Sequence, residues 1–261
     1  MSPLNALISY LARIYRAFGS KSRWVSRIVD RLTHIPLPIG LSYQYGTLYG
    51  WTIYNKLHNP ELETVEFFKK HLKPGDRIAD VGANIGYYTL LFSNLVGERG
   101  KVTAFEPSPI AFARLTKATR GIKNIDLVNR GIYSHRETLK LYSLSKGDPM
   151  GSVVYERGPN YTEIDVIPLS EYPTDAFNWA KIDVEGAEIE VLRGMRTPMK
   201  AMLEVATGIQ EEYGGGVNKF FSDIEGMGYR IFFIRDGGEI VLYTGSNLDM
   251  LKSNIYIEPR E

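Results

Sequence analysis

The chain of 261 residues is 44% hydrophobic and 23% charged, a composition typical of a folded globular protein and unlike that of a disordered chain. Its formal net charge of +1 argues against an obligate nucleic-acid binder, which would carry a strong basic field. The absence of cysteine excludes a disulfide framework, a thiolate metal site and a cysteine nucleophile.

Residues 1–35 form a basic segment in which apolar residues recur at helical spacing. Its charged residues are six bases and one acid, namely Arg13, Arg16, Lys21, Arg23, Arg27 and Arg31 with Asp30. Two interpretations remain open: an amphipathic segment that contacts a membrane surface or another anionic partner, and a pair of helices that caps the main domain. No apolar run reaches about 18 residues and no signal-peptide pattern occurs, so we expect a cytoplasmic protein, peripheral at a membrane under the first interpretation.

A connector rich in Pro, Gly and Tyr follows up to residue 58, and predicted helices and strands alternate from residue 59 onward. We predict strands at 77–81, 101–105, 124–129, 138–143, 152–156, 163–168, 179–183 and 200–206, and helices at 59–72, 85–96, 108–119, 186–194 and 217–227. The turn at residues 236–238 predicts a hairpin of strands 229–234 and 239–243.

These elements predict an α/β fold with one doubly wound, mostly parallel sheet that ends in a C-terminal antiparallel strand pair. We assign this Rossmann-like domain to residues 59–261 and an N-terminal helical extension with its connector to residues 1–58.

The segment Asp80–Gly86, DVGANIG, is the first candidate site, because it lies where a buried strand is followed by a helix. Gly82 and Gly86 allow a sharp turn and a close approach to a ligand. Glu106 ends the next strand, where an acid about 20 residues after such a loop accepts hydrogen bonds from ribose hydroxyls. Each motif alone also suits a plain turn or a solvated helix start, whereas their joint spacing indicates a nucleoside cofactor.

The charge of this loop distinguishes between nucleoside cofactors. Dinucleotide sites use G-x-G-x-x-G so that a pyrophosphate can lie on the helix N-terminus, whereas Asn84 occupies the middle glycine position here. Asp80 adds a carboxylate that would repel a pyrophosphate and attract the ammonium of the methionyl part of S-adenosylmethionine. S-adenosylmethionine is therefore the expected cofactor, and NAD is the alternative.

The run Lys181–Glu188, KIDVEGAE, places acids at a third strand end. Asp183 and Glu185 lie on one side of the chain if it is still extended there. Such a pair can accept a proton from a hydroxyl, bind an acceptor sugar or hold a hard cation, although helix-start acids are the alternative. We take Asp183 and Glu185 as candidate catalytic bases. We predict no metal site, although two acids in this arrangement leave open the binding of a divalent cation.

Three stretches, DVGANIGYYT from Asp80, FEP from Phe105 and AKIDVEGAEIEVLRG from Ala180, resemble the FkbM-type methyltransferases, a class I Rossmann-like family. The resemblance covers roughly residues 59–234, and KIDVEGAE is its most specific part. It implies O-methylation of a hydroxyl on a sugar, glycan or natural product, with S-adenosylmethionine as the methyl donor. Residue 170 is Ser where many relatives have Asp, so no role of that acid carries over.

Taken position by position, the resemblance also implies roles for individual residues. It puts the candidate base Asp183 nearest the reactive methyl group. It implies that the methionine end is bound by Asp80, Gly82, Ala83, Asn84 and Gly86, that the ribose is bound by Glu106 beside Pro107, and that the adenine is packed or capped by Gly131 and Ile132.

Two functions of other classes remain open. The basic residues 1–35 would suit an RNA or other nucleic-acid methyltransferase, although the chain has no Asn-Pro-Pro-Tyr-type motif for amine methylation and no cysteine for cytosine C5 chemistry. A non-catalytic nucleoside-binding protein would keep the same fold. The oligomeric state and the identity of the acceptor are not predicted.

Overall fold

The computed structural model describes residues 62–143, 151–154, 160–205 and 215–260. The chain divides into two compact units, residues 1–65 and 66–261, and nearly all described residues belong to the second. The predicted extension and connector at 1–58 lie outside the described residues, so both interpretations of the basic segment stay predictions. No helix in the described ranges is long and apolar enough to cross a membrane.

Eleven strands form two sheets in the described part of the chain. In chain order they are β1 (Arg77–Val81), β2 (Lys101–Phe105), β3 (Ile125–Val128), β4 (Gly131–Ile132), β5 (Glu137–Ser143), β6 (Asn160–Ile167), β7 (Trp179–Ile182), β8 (Lys200–Glu204), β9 (Tyr229–Ile234), β10 (Ile240–Leu242) and β11 (Asn254–Pro259). The main sheet has the order β10-β9-β11-β8-β7-β1-β2-β3. Its five strands β8, β7, β1, β2 and β3 pair in parallel, which confirms the predicted doubly wound fold.

Helices connect β1 to β2, β2 to β3 and β7 to β8, as expected when each parallel strand must begin at the same end of the sheet. The helices of the described residues are α1 (Leu62–His71), α2 (Tyr87–Val96), α3 (Pro109–Ala118), α4 (Glu188–Arg193) and α5 (Val217–Gly226). Helix α3 shows why the predicted boundaries lie close to the observed ones. The side chain of Ser108 caps it by accepting a hydrogen bond from the amide of Ala111 at 3.4 Å, and Pro109 occupies its first turn.

The central strands are buried along nearly their whole length. All four residues of β7 are buried, and so are the last four residues of β1 and of β2. Strands that are covered by helices on both faces read as continuous apolar runs. The charged residues that interrupt these runs, Asp80 and Lys181, therefore require partners inside the protein.

Strand β11 was not predicted from the sequence. It lies between β8 and β9 and runs antiparallel to both, so the predicted hairpin β9–β10 is separated from β8 by one strand. Its sequence ends in Pro259, a residue that argues against a central strand. Pro259 is tolerated because it is the last residue of the strand.

The β-rich stretch after residue 130 forms a second sheet of order β4-β6-β5. The strand predicted at 152–156 is wrong in its described part, because Ser152 alone makes an isolated bridge, to Tyr142, and residues 155–156 lie outside the described ranges. The Ser152 hydroxyl accepts a hydrogen bond from the amide of Val154 at 3.1 Å, so a local turn replaces the strand.

Candidate functional site

The loop between β1 and α2 turns through left-handed backbone. Gly82 has φ 79°, Asn84 has φ 48° and Gly86 has φ 96°. A Cβ added to Gly82 would lie 1.8 Å from the backbone oxygen of Asp183, so this loop packs directly against the end of β7. Gly82 and Ala83 both donate backbone hydrogen bonds to the Phe105 carbonyl at 3.0 Å, which joins the loop to the end of β2.

Asp80 lies inside the protein at the end of β1, with no exposed surface. Its Oδ2 accepts a hydrogen bond from the Thr89 hydroxyl at 2.6 Å, whereas its buried Oδ1 has no partner among the described residues. Burial raises the pKa of Asp80, although Lys181 and the bond from Thr89 lower it in part. An unpaired carboxylate oxygen beside a glycine loop suits a cationic group of a ligand.

Glu106 follows β2 and is held by backbone amides. Its Oε2 accepts a hydrogen bond from the amide of Asn84 and its Oε1 accepts one from the amide of Ser108, both at 2.8 Å. The side chain is buried, and burial raises its pKa to about 7 although both hydrogen bonds act to lower it. A carboxylate has about four acceptor positions, so Glu106 keeps acceptor capacity for further donors.

Pro107 and Gly131 come together beside Glu106. A Cβ added to Gly131 would lie 3.6 Å from the Cβ of Pro107 and 2.9 Å from Cγ1 of Val166. Gly131 and Ile132 are buried as strand β4, which pairs with β6 of the small sheet. The structure thus brings most of the predicted cofactor residues to the ends of β1 and β2, with β4 next to them.

The end of β7 carries an ion pair. Nζ of Lys181 donates to Oδ2 of Asp183 at 2.7 Å and lies 4.8 Å from the centre of the Tyr88 ring. The Lys181 side chain is 6% exposed and that of Asp183 is 29% exposed. Burial favours the neutral forms of both groups, but their mutual attraction outweighs it, so the pKa of Asp183 is lowered and that of Lys181 is raised.

The two predicted bases are arranged differently from the prediction. Strand β7 ends at Ile182, and Glu185 has left-handed backbone with φ 55°, so the chain is not extended between Asp183 and Glu185. The Glu185 carbonyl accepts a hydrogen bond from the Ser152 hydroxyl at 2.8 Å. Asp183 accepts a hydrogen bond from Lys181, whereas the charge of Glu185 acts on Glu204 at the end of β8.

Sequence reasoning missed Lys181 and Glu204. Glu204 ends β8 and is hydrogen-bonded to Asp183. Burial raises the pKa of Glu204 to about 9, and the bond to Asp183 adds to this rise. The signal was available, because Glu204 is the one acid within the otherwise apolar segment AMLEV, at the same edge as the predicted acids. The described residues contain no cluster of three or more His, Cys, Asp or Glu that could hold a metal ion.

A doubly wound sheet with a glycine loop after β1 and an acid at the end of β2 defines a Rossmann-like protein that binds a nucleoside cofactor. Within this class, residues 80–231 match the methyltransferase FkbM domain, and the chain belongs to this family. It is therefore an S-adenosylmethionine-dependent methyltransferase of the FkbM type.

Several relatives have known names. "Methyltransferase 1" of Beauveria bassiana is 26% identical over 45% of this chain, which spans 57% of that relative's length. The 31-O-demethyl-FK506 methyltransferase FkbM of Streptomyces tacrolimicus is 26% identical over 67% of this chain and 82% of its own. The hexuronic acid methyltransferase AglP of Haloferax volcanii is 26% identical over 57% of this chain and 64% of its own.

The relatives do not share one named acceptor. A protein-L-isoaspartate O-methyltransferase of Methanococcus maripaludis is 22% identical over 69% of this chain and 82% of its own. Among solved structures, an S-adenosylmethionine-dependent O-methyltransferase of Thermotoga maritima superposes with a TM-score of 0.44 and 13% identity, over 77% of this chain and 67% of its own.

Proposed function

We propose that this protein is an O-methyltransferase that moves the methyl group of S-adenosylmethionine to a hydroxyl of a sugar, glycan or natural-product acceptor. The observation that carries the proposal is the partly exposed carboxylate of Asp183, which Lys181 holds at the end of β7 beside the glycine loop. A hydroxyl acceptor needs such a base, because it must lose its proton when its oxygen gains a methyl group.

The residues around β1 and β2 fit the cofactor. The unpaired Oδ1 of Asp80 would accept a hydrogen bond from the ammonium of the methionyl part. The free acceptor positions of Glu106 would receive the ribose hydroxyls. Gly82 and Gly86 let the loop turn through left-handed backbone and pack closely against Asp183 and Leu115. The adenine would lie against the apolar residues around Pro107 and Gly131.

When bound, S-adenosylmethionine supplies an electrophilic methyl group on a sulfonium. The protein would align the acceptor oxygen with the bond between sulfur and the methyl carbon, which breaks in the transfer, and would keep this oxygen close to Asp183. A hydroxyl is a poor acid until the new carbon–oxygen bond forms, and its proton then becomes strongly acidic. A carboxylate with a lowered pKa, such as Asp183, is therefore basic enough to take that proton and pass it to solvent.

The class of acceptor is supported by the names of two relatives, one of which specifies 31-O-demethyl-FK506 and the other a hexuronic acid. We test it with methyl-labelled S-adenosylmethionine and a panel of a neutral glycoside, a uronic acid glycoside, a polyketide alcohol, a peptide and RNA. A hydroxyl acceptor yields an ether, which survives mild alkali. A label released by mild alkali would mean a methyl ester on a carboxyl group, and a label confined to RNA would overturn the proposal.

The variant Asp183→Asn separates the proposed base from cofactor binding. We expect turnover to fall about 100-fold or more, while the affinity for S-adenosylmethionine measured by calorimetry stays within about threefold. The matched control is Asp126→Asn, since this acid lies on β3 with its side chain 58% exposed and paired to Lys101. Wild-type turnover in Asp183→Asn would exclude Asp183 as the base.

A further inference from the structure

Glu204 is a carboxyl group at the end of β8 that the proposed chemistry does not use. Five charged side chains of the described residues act on the Asp183–Glu204 pair electrostatically. Lys181 comes from β7, Asp80 from β1, Glu106 from the end of β2, Glu185 from the loop before α4, and Glu188 from α4. The residue opposite Glu204 on β11 is Asn254, which carries no charge.

Among the described residues, Lys181 is the cation that acts on Asp80, Asp183 and Glu204, and one positive charge cannot balance three carboxylates. Lys181 is the partner of Asp183 in an ion pair of 2.7 Å and also interacts with Asp80 across the β1–β7 register. Asp183 and Glu204 lie side by side, because they directly follow Ile182 and Leu203, which are partners in the parallel β7–β8 register. Two carboxylates this close cannot both ionise without strong repulsion. Since Lys181 holds Asp183 in its charged form, the proton of the Asp183–Glu204 pair belongs on Glu204.

A protonated Glu204 is a hydrogen-bond donor, whereas an ionised one is an acceptor only. Asp183 therefore receives hydrogen bonds from two sides, from the ammonium of Lys181 and from the carboxyl of Glu204. Two fixed donors leave the remaining lone pairs of Asp183 pointing in a defined direction. This is the type of support that orients a base for proton transfer.

We propose that Glu204 is a positioning residue: it keeps its proton, donates it in a hydrogen bond to Asp183, and holds that carboxylate ready for the acceptor hydroxyl. This inference rests on the proposed role of Asp183. In each turnover the hydroxyl proton moves from the acceptor oxygen to Asp183 and then to solvent, while Glu204 keeps its own proton throughout. Ionisation of Glu204 would remove the donor and place a second negative charge against Asp183.

The first experiment measures the proton directly and needs no acceptor. The infrared spectrum of Glu204→Gln is subtracted from that of the wild type at pH 8, where Glu106 and Glu188, with pKa values of about 7, contribute little and cancel. We expect a protonated-carboxyl band in the difference spectrum that disappears above about pH 9. A difference spectrum without this band at pH 8 would overturn the inference.

The second experiment uses kinetics, with two substitutions that differ in one property. Glutamine keeps a donor for Asp183 and alanine does not, so kcat should fall less than about threefold in Glu204→Gln and about 30-fold or more in Glu204→Ala. KM for S-adenosylmethionine should stay within about twofold in both. The wild-type rate should fall above pH 9, and this alkaline limb should vanish in Glu204→Gln, which cannot ionise.

Equal losses in the two variants, or an alkaline limb that persists in Glu204→Gln, would contradict the inference. A failure of the proposed function is distinguished from a failure of this inference by combining the infrared band with the turnover of Asp183→Asn. If the infrared band is present but Asp183→Asn turns over normally, Asp183 is not the base, although Glu204 holds its proton. If Asp183→Asn is inactive and the infrared band is absent, Asp183 remains the proposed base and the proposed role of Glu204 is wrong.

Discussion

The ends of β1 and β2 and the ends of β7 and β8 lie at the same edge of the sheet, but different parts of the chain hold them. In the first region backbone groups make most of the contacts that hold the site. Left-handed glycines shape the loop after β1, and the amides of Asn84 and Ser108 hold Glu106. In the second region side chains hold one another, since Lys181 donates a hydrogen bond to Asp183 and Glu204 lies beside Asp183 in the β7–β8 register.

This difference shows which kind of site local sequence can specify. A backbone-held site needs particular residues at neighbouring positions, so it appears as a motif. A side-chain cluster needs strands to pair in one register, which a short stretch of sequence does not contain. The two regions still depend on each other, because Asp80 on β1 is the register partner of Lys181 on β7.

Substitution of Lys181 by methionine should have the largest effect, because it removes the cation from both regions. The free energy of unfolding should fall by about 3–5 kcal/mol at pH 8, since the buried Asp80 and the half-buried Asp183 would lose their counter-charge. Without Lys181 the pKa of Asp80 rises further above its unfolded value and that of Asp183 rises above it too, so the penalty is present at high pH and is relieved as the pH falls. Denaturant unfolding at pH 8 and pH 5 measures this.

The control for that prediction is Lys200→Met. Lys200 is an exposed residue at the start of β8, 5.4 Å from the centre of the Trp179 ring. Its substitution should cost less than about 1 kcal/mol and should show little dependence on pH. Equal losses for the two lysines would mean that the two regions are not coupled through Lys181.

Substitution of Gly82 by alanine tests how much the close packing of the loop after β1 contributes to the stability of the first region. The new Cβ would meet the backbone oxygen of Asp183 at 1.8 Å in addition to the strain of φ 79°, so we expect a loss of about 3 kcal/mol or more in unfolding free energy. Gly121→Ala is the matched control, because it has φ 83° and nothing within 4 Å of its added Cβ. It should lose only about 1 kcal/mol. Similar losses would mean that backbone strain, not the contact with β7, makes Gly82 necessary.

Substitution of Glu106 by glutamine should have the smallest effect, about tenfold on the affinity for S-adenosylmethionine at pH 8. Burial raises the pKa of Glu106 to about 7, so the ionised acceptor forms as the pH rises. The dissociation constant of the wild type should therefore decrease between pH 6 and pH 8, and that of Glu106→Gln should stay flat. Calorimetry across this range measures both.

Glu188→Gln is the matched control for this pH dependence. Glu188 is also buried with a pKa raised by burial to about 7, but it bonds to the amides of the loop before α4. Its substitution should leave the pH dependence of cofactor binding unchanged. If Glu188→Gln rather than Glu106→Gln removes that dependence, the ribose assignment is wrong.

The sequence alone determined the fold class and the cofactor loop. Apolar strands that alternate with helices can be buried in few ways, so β1, β2 and the parallel sheet were predicted with boundaries within a few residues. The loop from Asp80 to Gly86 was predicted because left-handed backbone and close packing require glycine, which the sequence displays directly.

Only the tertiary structure decided how the second region is assembled. Strand β11 enters between β8 and β9 through pairing with distant strands, and its own sequence with a terminal Pro259 gives no sign of a central position. Glu204 is far from Asp183 along the chain and reaches it because β7 and β8 pair in parallel register. The partners and charge states of buried acids depend on such contacts, and these contacts exist only once the sheet has formed.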